Sequence, residues 1–291
     1  MDFQITALTD AIRAAQPGKN ITLSHGTVHY ELEGPENGPV VVLIHGFSVP
    51  MYCWDPNFKY LVDAGFRVLR YDLYGRGFSD RPKIKYNLAL FENQLLELLT
   101  RLDLLKSKIN IVGLSMGGLI TITFADHHPE YINKIVLFDP AGFPGHKTQI
   151  PGILRIPGIN QLIFDKIGIP RLLERSPINL YRGVQNEKYP AYSEQFKIQL
   201  QYKGFTRAIL STMLNVPMHL ALETYRSVGR KNLPIQLFWG DHDEVLACPE
   251  MILIREVLPH AEFHVVPDCG HTSNYERPEI VNPLVLKFLQ T

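Results

Sequence analysis

The sequence predicts an α/β fold: a mostly parallel central sheet with helices on both faces, and a mainly helical cap inserted between two strands. Short runs rich in β-branched residues alternate with segments whose apolar residues recur every three or four positions, the rhythm that builds parallel sheets. That rhythm stops between about residues 142 and 232, a stretch with many prolines and several helix-like apolar segments, and then resumes. Residues 1–141 and 233–291 are therefore expected to form one core, and residues 142–232 the cap.

Each element has its own signal. Ile5, Leu8, Ile12 and Ala15 share a helical face ahead of the Pro17-Gly18 breaker. Residues 21–33 alternate as a half-buried strand does, with a turn at Ser24-His25-Gly26. Val40 to Ile44 is apolar throughout, the pattern of a strand buried on both faces. Val68 to Asp72 reads as the next strand. Leu88, Phe91, Leu95, Leu98, Leu102 and Leu105 predict a helix. Strand Ile109 to Val112, helix Leu119 to His127 and strand Ile135 to Phe138 follow. After the interruption come strand Ile235 to Trp239, a helix beyond Pro249, strand Phe263 to Val266 and a C-terminal helix beyond Pro278.

Composition narrows the function. Lys+Arg and Asp+Glu both number 29, so no broad basic surface is implied and nucleic acid is not an expected partner. The three cysteines, Cys53, Cys248 and Cys269, have no CxxC spacing. They predict neither a disulfide framework nor a zinc site, but free thiols in a reducing compartment. Met1 to Ile5 lacks the basic and apolar regions of a leader, and no run of about 18 apolar residues occurs. A cytoplasmic location is expected.

Gly113-Leu114-Ser115-Met116-Gly117 is a G-x-S-x-G pattern between a predicted strand and a predicted helix. So sharp a turn needs the small residues Gly113 and Gly117, and it lifts Ser115 to the N-terminus of a helix, where negative charge is favoured. A serine nucleophile needs a base. Among eleven histidines, His271 is the best placed, in Asp268-Cys269-Gly270-His271-Thr272 after the last strand. The acid that orients it follows the strand ending at Trp239, in Gly240-Asp241-His242-Asp243. Asp243 is preferred, with Asp241 and Asp139 as alternatives. Two backbone amides would hold an oxyanion, those of Met116 and of Phe47 in His45-Gly46-Phe47. Gly46 would allow close approach of the substrate, and His45 is read as a buried structural histidine.

These motifs, with Asp72-Leu73-Tyr74-Gly75-Arg76-Gly77-Phe78-Ser79, resemble the α/β-hydrolase superfamily, in particular its lipase, esterase and meta-cleavage-product hydrolase branches. The resemblance covers about residues 22 to 290. It implies a serine hydrolase with no metal or organic cofactor, Met116 and Gly118 also occurring in lipase-like and perhydrolase-like members, while the apolar cap points to a carboxylic ester with an apolar, monoacylglycerol-like acyl part. A carbon–carbon bond hydrolase, an acyltransferase and a ligand-sensing module on the same scaffold are the alternatives. Serine at position 115 disfavours the dehalogenase and epoxide-hydrolase relatives, which use aspartate. Within the cap, the apolar run Ile150 to Ile159 continues through Leu162, Ile163, Phe164, Ile167, Ile169, Leu172 and Leu173. These residues would form the cap's own core, an acyl pocket, or a surface for peripheral lipid contact.

Overall fold

The computed structural model describes residues 4–144, 151–171, 189–249 and 251–291. Eight strands form one sheet: β1 (Lys19–Leu23), β2 (Gly26–Glu33), β3 (Val40–Ile44), β4 (Arg67–Tyr71), β5 (Ile109–Leu114), β6 (Ile132–Phe138), β7 (Ile235–Gly240) and β8 (Glu262–Val266). Their order is β1-β2-β4-β3-β5-β6-β7-β8. The first hairpin, β1 with β2, and the β2–β4 pair are antiparallel. Every other neighbouring pair is parallel.

The continuous apolar strands lie where that pattern requires. All of β3 and β5 is buried, and period-two alternation divides their side chains between two cores. Val42 and Ile44 face one core, with Leu95 and Leu98 of α3 (Leu88–Arg101) and Leu119 and Ile122 of α4 (Met116–His127). Val41 and Leu43 face the other, with Phe58 and Leu61 of α2 (Asp55–Asp63).

Two helices are shorter than the periodicity suggests. The first, α1, covers only Asp10–Ala14, because Thr9 caps it by accepting from the Ile12 amide at 3.3 Å. Residues upstream pair instead with the 200–203 turn: the Gln4 amide donates to Leu200 O and the Lys203 amide to Thr6 O. In α3 the helix stops at Arg101, because Asp103 takes a left-handed φ of 57° and leaves Leu105 outside it.

Between β6 and β7 the described residues hold α5 (Asn160–Ile163), α6 (Tyr189–Leu200), α7 (Phe205–Asn215) and α8 (Leu222–Gly229). Phe164, Phe196, Leu200 and Phe205 pack into the second core. Helix α8 instead packs on α4 and on α9 (Met251–Val257), with Tyr225 and Val228 in the first core. Ile150, Leu172 and Leu173 lie outside the described residues. The chain closes with α10 (Ser273–Glu276) and α11 (Pro278–Gln290).

Candidate active site

The C-terminal ends of β3, β5, β6 and β7 bring the predicted residues together at one edge of the sheet. Ser115 joins β5 to α4 with φ 54° and ψ −118°, a conformation that is rare for a residue with a side chain and is held by its surroundings. Its amide donates to Phe138 O at 2.9 Å, and its carbonyl accepts from Gly118 and Ala141. The flanking glycines are obligatory. A Cβ on Gly113 would lie 2.4 Å from Gly117 O, and one on Gly117 would lie 2.1 Å from Ile44 O.

The Ser115 hydroxyl lies 2.8 Å from Nε2 of His271, whose Nδ1 lies 2.7 Å from Oδ2 of Asp243. Oδ1 of Asp243 accepts from the Val245 and Leu246 amides, each at 2.8 Å, so the carboxylate has one fixed orientation. Burial lowers the basicity of His271, but the charge and hydrogen bond of Asp243 outweigh it and hold the imidazole above its ordinary 6.5. Glu276 steadies the same loop by accepting from the amides of Gly270 and Thr272, on either side of His271.

The other two aspartates have different partners. Asp241 accepts from the Cys269 amide at 3.0 Å and pairs with His242, tying the β7 turn to the His271 loop. Asp139, at the end of β6, is wholly buried. It accepts from the Gly240 amide at 2.7 Å and from the Ser273 hydroxyl at 2.6 Å. Burial, reinforced by the charge of Asp243, pushes its carboxyl up to about 7. Asp139 thus joins β6, β7 and the segment after His271.

The loop after β3 passes directly over Ser115: a Cβ on Gly46 would lie 3.3 Å from Ser115 Cβ. His45 is fully buried, and burial lowers it to about 4, so it is neutral near pH 7. Its Nε2 accepts from the Leu73 amide at 2.9 Å, which leaves the proton on Nδ1 to donate to Gly46 O at 2.9 Å. A planar trans peptide points its N–H opposite its C=O. Holding the Gly46 carbonyl therefore orients the Phe47 amide. Among the described residues, neither that amide nor that of Met116 donates to a protein acceptor.

Next to it is the Asp72 loop. The Asp72 carboxylate accepts from His29 Nδ1 and from the Met51 and Phe78 amides, at 3.1, 3.0 and 2.9 Å. Burial opposes its ionisation, yet these donors hold it at about 2. Arg76, in the same loop, is fully buried and donates to Phe47 O at 2.8 Å. No carboxylate among the described residues pairs with it, and burial lowers it to about 9. Arg76 stood in the sequence as part of a loop motif without a role, and nothing in the sequence pointed to Asp139 as a tie between strands.

A hydroxyl hydrogen-bonded to an imidazole that is itself held by a carboxylate can attack a carbonyl carbon, and backbone amides without a protein acceptor can hold the resulting oxyanion. The model of the alpha/beta hydrolase fold family matches residues 39–278, and the chain belongs to that family of hydrolases. It is 26% identical over 280 residues to an AB hydrolase superfamily protein of Bacillus subtilis, covering 91% of this chain and 94% of that one. An uncharacterized carboxylesterase of the same organism is 28% identical over 275 residues, covering 92% and 85%. Among solved structures, the enol-lactonase from Burkholderia xenovorans LB400 superposes with a TM-score of 0.77 at 22% identity, covering 94% of this chain and all of that one.

Proposed function

We propose that this protein is a serine hydrolase that cleaves a carboxylic ester with an apolar acyl group through an acyl-enzyme. The observation carrying this reading is the Ser115–His271–Asp243 hydrogen-bond chain, at 2.8 and 2.7 Å. Ser115 Oγ attacks the ester carbonyl while its proton passes to His271 Nε2. The oxyanion is held by the Phe47 and Met116 amides. Collapse breaks the bond to the alkoxide, which takes the proton from Nε2 and leaves as the alcohol. Water then gives its proton to Nε2 and its oxygen to the acyl carbon, and as the acyl–Oγ bond breaks Ser115 Oγ takes that proton back from Nε2, releasing the acid. Asp243 keeps the imidazole in the correct tautomer throughout. None of these steps requires a metal or organic cofactor. The similarity to a carboxylesterase supports an ester over other acyl substrates.

We propose that the segment inserted between β6 and β7, expected as a cap over residues 142–232, covers this site through α5, α6 and α7, while α8 packs with the core. Leu154, Phe164 and Ile169 turn inward, whereas Ile153, Ile156, Ile159, Leu162 and Ile167 are exposed. An apolar face of this kind suits an amphiphilic substrate and peripheral contact with lipid.

The test is hydrolysis of chromogenic esters of increasing acyl length by the protein and by Ser115→Ala. Loss of Ser115 should lower turnover by about a millionfold, and the chain-length optimum of the wild type reports the acyl pocket. Equal, feeble rates from both proteins would refute the reading.

A further inference from the structure

We infer that the cap completes the loop that carries the Phe47 amide, with Gln199 as a positioning residue that makes the oxyanion site depend on cap placement. This rests on the serine-hydrolase reading above. Three successive carbonyls of the 45–50 loop are each held by a different part of the molecule. His45 holds Gly46 O, Arg76 Nε holds Phe47 O at 2.8 Å, and Gln199 Nε2 holds Ser48 O at 2.6 Å. The first contact is local and the second comes from the core. The third comes from α6, on the segment inserted between β6 and β7.

The cap also reaches the second contact. Arg76 Nη2 donates to Thr212 Oγ1 of α7 at 2.9 Å. The Oε1 of Gln199 accepts from the Gly77 amide at 3.2 Å, so one side chain ties the Ser48 loop to the residue next to Arg76. Gln199, Arg76 and Thr212 are all essentially excluded from solvent, at 2%, 0% and 0% exposure. Water is not at hand to replace a lost donor there. Tyr52, just past the loop, adds a further tie by donating its hydroxyl proton to Tyr192 O of α6 at 2.9 Å.

The peptide before Phe47 carries the donor N–H, and the hydrogen bonds on Phe47 O and Ser48 O restrain the φ and ψ rotations that link that plane to the next two peptides. If α6 and α7 move away, Ser48 O loses its donor and Arg76 loses Thr212, so the Phe47 amide, still held by His45 through Gly46 O, is fixed less tightly. With the cap seated, the amide points where negative charge develops. The cap would thereby act on the chemical step as well as on substrate binding.

Gln199→Met keeps the side-chain volume and removes both hydrogen bonds, which separates positioning from packing. With a soluble short-chain chromogenic ester, kcat should fall about 10–100-fold while KM stays within about threefold, the signature of an interaction felt in the transition state. Phosphonylation of Ser115 by a small phosphonate ester should slow in parallel, and the melting temperature should fall by several degrees, because Ser48 O and the Gly77 amide lose their partner in a buried site, with the cooperative transition still above the assay temperature. Thr212→Val, which removes the acceptor of Arg76, should move kcat in the same direction and reads the coupling independently should Gln199→Met fail to fold. Wild-type kcat in a folded Gln199→Met, or a loss confined to KM, would overturn the inference alone. A wild-type protein that neither turns over esters nor becomes phosphonylated at Ser115 would overturn the hydrolase reading beneath it.

Discussion

Asp243→Asn isolates the acid from its alternatives, because the structure dictates how the new side chain must sit. Oδ1 of Asp243 accepts two backbone amides at 2.8 Å, and the side chain is fully buried. An asparagine keeps its oxygen there, since turning its NH2 toward the Val245 and Leu246 amides would set donor against donor and lose two hydrogen bonds, at about 0.5–1.5 kcal/mol each. The NH2 must then face His271 Nδ1, 2.7 Å away in the wild type. That nitrogen becomes an acceptor, the proton moves to Nε2, and Nε2 can no longer receive the Ser115 proton. Tautomer reversal of this kind lowers kcat by about 10⁴, or ~5.4 kcal/mol at 1.36 kcal/mol per tenfold. Steady-state hydrolysis of a chromogenic ester measures it, with thermal melting as the check on folding. A loss of less than about tenfold would refute the reasoning, and would direct attention to Asp139 as the group that supports His271.

Other perturbations have equally definite outcomes. His271 must be neutral to accept a proton and is held above 6.5 by Asp243. The kcat/KM should therefore rise with pH through an inflection above that value, and an inflection below it would contradict the assigned pair. Asp139 keeps its proton to about 7 in the fold, against 3.8 ordinarily. Its contribution to stability is thus lost as pH rises across that window, because the unfolded chain binds fewer protons there than the native one. Asp139→Asn should flatten the decline of melting temperature from pH 4 to 7, and an unchanged slope would argue against the raised carboxyl. Gly117→Ala places a Cβ 2.1 Å from Ile44 O and 2.6 Å from His45 O, both backbone atoms with little freedom to shift. Overpacking there should cost about 3 kcal/mol and lower the melting temperature by roughly 6–12 °C, readable by calorimetry.

Much of this protein is determined by local pattern. β3, which spans Val40–Ile44, declares itself because a strand buried on both faces has only apolar residues to offer. The Gly113–Gly117 turn is legible because only glycine fits against Gly117 O and Ile44 O. The chain order Ser115, Asp243, His271 is an expectation from motifs that follow strands. Only tertiary structure shows what each of these acids touches. β6 and β7 are neighbours, so Asp139 and Asp243 both arrive at the same sheet edge, and position after a strand cannot separate them. What separates them is which carboxylate reaches His271, and which spends its oxygens on Gly240 and Ser273. The same holds for Gln199, which lies 151 residues from the Ser48 carbonyl it holds. Periodicity and turn chemistry act over a few residues. A hydrogen bond across that separation exists only once the chain has folded and α6 lies against the loop after β3.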